Sequence, residues 1–146
     1  MRRGLDSNVL VAAHVPGHPS HAPVRRFLLN AARSSEDTLV VTPLVLHEFV
    51  HVVTDPRRFD PPIAMSEALA IAGLYLGRSN VECVAIGEEA TRRAFELLDQ
   101  HQLGRRRIAD TLLAAALLTA RVEELITCNR SDFEIFEALR VVDPRE

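Results

Sequence analysis

The chain has no tryptophan, one tyrosine and two cysteines. Cys83 and Cys128 lie far apart in sequence, a pattern that fits reduced thiols rather than a disulfide framework. No apolar run approaches the roughly 18 residues a membrane helix needs, and Met1 is not followed by a basic and then apolar leader. A soluble, cytoplasmic protein with no membrane association is therefore expected. The chain also lacks repeats, linkers and low-complexity tracts. Its net charge of −3 excludes a broadly basic surface for bulk nucleic-acid binding, while leaving room for local arginine patches. What is present is a 47% hydrophobic, 25% charged composition over 146 residues, the profile of one packed domain spanning 1–146. A chain of that length buries roughly 68–70% of its unfolded surface, so folding requires neither a disulfide nor a structural metal.

Short apolar runs alternate with helical periodicity along the chain. A strand around Gly4 to Asp6 leads into SNVLVAAH, a helix with Ser7 as cap, and PGHPS breaks the chain. Ser20 caps HAPVRRFLLNAAR, TLVV reads as a buried strand, and Thr42-Pro43 opens the helix PLVLHEFVHVVT. A proline-rich connection leads to a helix from about Ser66 to Leu76, then the strand ECVAI and the helix EEATRRAFELLDQHQ, closed by Gly104. After RRR come an apolar helix from Ile108 to Ala120, the strand ELIT, the turn CNRSDF and a last strand ALRVV. This alternation predicts a three-layer α/β/α sandwich around a mostly parallel sheet, in which ligands sit beyond the carboxyl ends of the strands.

Four acids stand where the pattern calls for apolar residues or element ends. Asp110 occupies the first turn of the most apolar helix, and Asp6 ends the first apolar run. Glu48 falls beside Val45, between Leu44 and Val52, on what reads as the apolar stripe of its helix, and Asp132 follows LITCNRS. Each has a bland explanation: a helix-dipole acid for Asp110, a structural ion pair with an arginine for Glu48. Taken together, the four suggest one metal site, with Asn8 close enough to assist Asp6. The Glu48 helix also spells HExxH across His47, Glu48 and His51, the two-histidine pattern of zinc metalloproteases. That alternative lacks an evident third ligand and gives Asp6, Asp110 and Asp132 no role.

The segments LDSNVLVAAH, LHEFVHVVTDPRRF, RIADTLLAAAL and LITCNRSDF, in this order, resemble the four motif blocks of PIN-domain ribonucleases, and more narrowly of the VapC toxins of type II toxin–antitoxin systems. The likeness spans essentially the whole chain. It implies a PIN-like fold and carries the family's acids onto Asp6, Glu48, Asp110 and Asp132, with Asn8, Thr127 and Asn129 as supporting polar groups. Two departures stand out: Arg2 and Arg3 interrupt a strand that is usually apolar, and Asn129 stands where many members have an acid. The second leaves open whether Asp132 meets a metal directly or through water.

Clustered carboxylates repel one another, and a hard divalent cation relieves that repulsion, so Mg²⁺ or Mn²⁺ is expected rather than zinc. The resemblance implies hydrolysis of RNA that leaves a 5′-phosphate. Arg57 and Arg58, and Arg105, Arg106 and Arg107, are candidates to hold flanking phosphates, although solvated loop charge explains them equally well. Phe59 alone is near them as a stacking aromatic, too little to argue base-specific readout. The resemblance further implies a homodimer and a cognate VapB-like antitoxin that sets a basic group among the acids. A non-catalytic metal- or RNA-binding regulatory domain is the remaining alternative; it would keep the acids without turnover.

Overall fold

The computed structural model describes the chain from Met1 to Glu146. Five strands form one sheet: β1 (Arg2–Leu5), β2 (Thr38–Val41), β3 (Val81–Cys83), β4 (Glu124–Ile126) and β5 (Arg140–Val142). Their order is β3-β2-β1-β4-β5 and every pairing is parallel. Parallel neighbours need crossovers, which six helices supply: α1 (Ser7–His14), α2 (His21–Arg33), α3 (Pro43–Val53), α4 (Met65–Gly77), α5 (Glu88–Gln100) and α6 (Ile108–Thr119). Packing of α1 on α2 and α3, of α3 on α4, and of α5 on α6 builds the two helical layers of the expected sandwich.

Local chemistry explains most boundaries. Thr42 caps α3 by accepting the Val45 N–H at 3.3 Å, and Pro43 takes the first helical position, where no N–H partner is needed. At α1 the expectation is corrected. Asp6, not Ser7, is the cap, in extended backbone with its carboxylate accepting from the Ser7 N–H. Likewise α5 ends before Gly104, and the left-handed residue that turns the chain is Gln102 (φ 51°).

The arginines that interrupt β1 are neutralised across the sheet. Arg2 makes a forked pair with Glu82, at 2.9 and 2.6 Å. Arg3 pairs with Glu124 and lies 4.9 Å from the centre of the Phe27 ring. Partners that satisfy the charge let a polar strand occupy the middle of the sheet.

Helix α6 is central as expected, with Leu113, Ala114, Ala115, Ala116 and Leu117 all buried. Its approach to β1 depends on Gly4, where an added Cβ would lie 2.6 Å from Leu117 Cδ1 and 3.2 Å from the Glu124 carbonyl oxygen. Gly4→Val should therefore destabilise the fold by about 1–3 kcal/mol through overpacking. Urea unfolding would show a lower midpoint at unchanged slope; an unmoved midpoint would mean that α6 shifts freely over the sheet.

Candidate active site

The carboxyl ends of β1 and β4 are tied into one knot. Asp6 leaves β1 with its N–H donating to the Ile126 carbonyl at 3.0 Å, which aligns the first helical turn with the end of β4. One Asp6 oxygen accepts the Ser7 N–H at 2.7 Å; the other accepts the Thr127 hydroxyl at 2.8 Å and the Asn8 amide at 3.2 Å. Thr127 Oγ1 in turn accepts the Asn129 N–H at 3.0 Å, and Asn8 Oδ1 accepts the Cys128 N–H at 3.1 Å. Asn8 and Thr127 thus hold Asp6 in place, and the Asn129 backbone joins the same network. The network fixes the carboxylate's orientation before any ligand arrives.

Asp6, Glu48, Asp110 and Asp132 line a single polar cleft of about 290 Å³, together with Asn8 and Asn129. Four different segments bring them there: the start of α1, the middle of α3, the first turn of α6 and the short 3₁₀ turn after β4. None of the four is in an ion pair. Burial pushes the Asp6 carboxyl up to about 6, opposed by the hydrogen bonds from Thr127 and Ser7 and reinforced by the Glu48 charge. Asp110 is also pushed up to about 6, first by burial and then by the charges of Asp6 and Asp132, with Arg107 opposing and Glu48 adding a little. No three His, Cys, Asp or Glu side chains close around one point at ligating distance, so the acids share a cleft without forming a finished cage.

Other expected residues are distributed unevenly. Glu48 is solvent-exposed rather than buried with the apolar stripe: its neighbours Leu44 and Val52 are only partly covered, and the cleft opens above it. Arg58 and Phe59 line the cleft; Arg58 also pairs loosely with Asp55 at 3.9 Å, and Arg57 is committed to the same carboxylate, with its Nε at 3.2 Å. Arg105 and Arg106 are exposed and do not line it. Arg107 turns inward and donates to the Asp132 carbonyl oxygen, bracing the turn that carries this acid. His18, not anticipated from the sequence, also lines the cleft; its Nδ1 accepts the Ser20 N–H at 3.0 Å. It sits in PGHPS, which carries turn signals and no periodicity that could have pointed to the cleft.

The HExxH residues divide between two cavities. Glu48 faces the acid cleft, while His47 and His51 line an apolar groove of about 550 Å³ between α3 and α4, with Leu46, Val50 and Leu69. His47 Nδ1 lies 2.7 Å from the Pro43 carbonyl oxygen. A zinc site with Glu48 as its base would need all three on one side.

The PIN domain family model matches residues 5–138. Among curated proteins, the chain is 28% identical over 140 residues to Ribonuclease VapC31 of Mycobacterium tuberculosis, covering 96% of both chains. Among solved structures it is similar to VapBC-1 from nontypeable Haemophilus influenzae, with a TM-score of 0.69 at 16% identity and full coverage of both chains. It is also similar to VapBC2 from Rickettsia felis bound to a DNA fragment from their promoter, with a TM-score of 0.67 at 22% identity, covering 97% of this chain and 98% of that one.

Proposed function

The chain belongs to the PIN domain family, and from that membership we propose that it is a divalent-metal-dependent endoribonuclease of the VapC type, acting as a single domain. The observation that carries this reading is the convergence of four unpaired acids from four segments on one polar cleft. Their donor chemistry fits a hard cation. All are oxygen ligands, and their crowding with burial already raises Asp6 and Asp110 to about 6, a cost that a divalent ion would remove. Asp6, Glu48, Asp110 and Asp132 would hold Mg²⁺ or Mn²⁺. When bound, such an ion supplies Lewis acidity at the scissile phosphate and a more acidic water as nucleophile.

The chain's own groups do the positioning. Thr127, Asn8 and the Ser7 N–H fix the Asp6 carboxylate, so its orientation does not have to be assembled at each turnover. Asp110, in the first turn of α6, presents its carboxylate to the same cleft as Asp6 and Asp132. Arg58 beside the acids can hold the next phosphate along the strand, and Phe59 offers an unspecific stacking face. Arg107 keeps the Asp132 turn in place.

The partner we propose is a VapB-like antitoxin, supported by the VapBC assemblies among the structural relatives. A guanidinium from it can replace the cation's charge at the acids, and a homodimer would lengthen the RNA-binding surface. No helix is long and apolar enough to cross a membrane. Cleavage of RNA with Mg²⁺ or Mn²⁺, abolished by chelation, tests the activity; RNA binding without turnover would sink it. His51→Ala should retain at least half of the wild-type rate, because His51 faces the apolar groove. Loss of activity in that variant, restored by zinc, would return the HExxH reading.

A further inference from the structure

A second hollow, with a largely apolar floor that includes Leu28 and Leu39 and a rim of polar groups, lies at the amino edge of the sheet, away from the acids. Helix α1 begins at the acid cleft and ends about 12 Å further on at His14. There His14 meets Tyr75 of α4, Arg25 of α2, Arg78 after α4, and Asn80 just before β3, around a cavity of about 190 Å³. None of these residues lines the acid cleft.

The lining contains two guanidinium groups and no acid. Neither Arg25 nor Arg78 takes part in any of the chain's ion pairs. Both nonetheless act on His14, whose pKa is pushed down to about 4, first through burial and then through the Arg25 and Arg78 charges, with His21 adding. Two cations therefore lie near a half-buried ring, around a cavity that no acid lines. His14 Nε2 and the Tyr75 hydroxyl are 2.7 Å apart. In the tautomer with the proton on Nε2, the ring donates to the phenol oxygen and the Tyr75 O–H is free to donate into the cavity. Asn80 is already committed, its amide donating to the Ala32 carbonyl at 3.1 Å.

We propose that this hollow binds a phosphate group, through Arg25, Arg78 and the Tyr75 hydroxyl. Two guanidinium groups and a hydroxyl, carried on α2, on α4 and just after α4, can together serve the several oxygens of a phosphate, whereas a carboxylate is satisfied by the fork of one guanidinium. The volume corresponds to about six waters at roughly 30 Å³ each, enough for a phosphate and too little for a folded peptide segment. The phosphate could come from an RNA backbone or from a small phosphorylated molecule, since the recognising chemistry is the same.

The test uses the full metal-free chain and inorganic phosphate as probe. Phosphate should raise the thermal midpoint and lift the His14 ring titration, followed by NMR, by about one pH unit, because an anion would offset the two guanidinium charges. The charged or titratable groups facing His14 are Arg25 and His21 from α2 and Tyr75 and Arg78 from the α4 end, so no acid competes for that response. In the Arg25→Gln/Arg78→Gln double variant, phosphate affinity should drop at least about tenfold and the His14 response should vanish, while cleavage of a short RNA stays at the wild-type rate. Both arginines are solvent-exposed, so folding should survive the exchange. If the double variant, on an Asp110→Asn background that keeps RNA intact, also binds long RNA more weakly, the phosphate is that of the backbone; if only inorganic phosphate binding is lost, it is that of a small molecule. An unresponsive His14, equal phosphate affinity in the variant, or a glutamate-bearing peptide that displaces phosphate would each overturn the assignment.

Discussion

Asp110→Asn should lower metal-dependent RNA cleavage by roughly 10²–10⁴-fold while leaving the circular dichroism spectrum unchanged. Asparagine keeps the shape of the side chain in the first turn of α6 and removes its charge and basicity. Asp110 lies among Asp6, Asp132 and Glu48 and carries the combined effect of their charges. The substitution therefore removes one of the charged oxygens that would hold the cation. A time course on a labelled RNA with excess Mg²⁺ is the measurement. Wild-type rates in this variant would mean that the cleft is not where cleavage occurs.

The same substitution should make the metal-free protein more stable at pH 7.5, by about 1–3 kcal/mol, and leave it unchanged near pH 4. In the folded protein Asp110 is protonated up to about pH 6, and in the unfolded chain only to its ordinary 3.8. As pH rises between these values the unfolded chain gives up its proton first, so wild-type stability falls across that window and keeps the lower value above it. Asparagine carries no charge to desolvate and escapes this loss. His14 works in the opposite sense, because its folded value of about 4 lies below its ordinary 6.5 and stability grows as pH rises between them. Comparing variant with wild type at each pH cancels that contribution. Urea midpoints in chelator at pH 4 and 7.5 give the result, and Mg²⁺ at pH 7.5 should narrow the gap by stabilising the wild type alone. A gap of equal size at both pH values would show that the cleft does not strain its acids.

Much of this was legible from residue spacing, and where it was not, the missing information was three-dimensional. Asp6 and Asp110 stood out because each sits at the end of an apolar element, and a strand end or first helical turn has few places to go in a parallel sandwich. Glu48 was harder. A helical wheel gives the direction of a side chain but not what lies beyond it, and beyond Glu48 is the open cleft rather than the core. His47 and His51 matched a metal motif in one dimension and turned to a different cavity in three. Arg2 and Arg3 read as anomalies because their partners, Glu82 and Glu124, are 80 and 121 residues away. His18 had no signal, since its place depends on how a turn folds back over α1.

The hydrogen bond from Thr127 to Asp6 also sets when the site can first exist. It joins residues 121 apart, and β1, the middle strand, must wait for β4 before it has its second neighbour. At a synthesis rate of roughly 5–20 residues per second, the interval between making Asp6 and making Thr127 is about 6–25 seconds, during which the nascent chain carries its first acid unsupported. Asp110 is made before Thr127, so three of the four acids emerge before the residue that holds the first in place. Fragments ending before β4 should therefore be inert whatever metal is supplied.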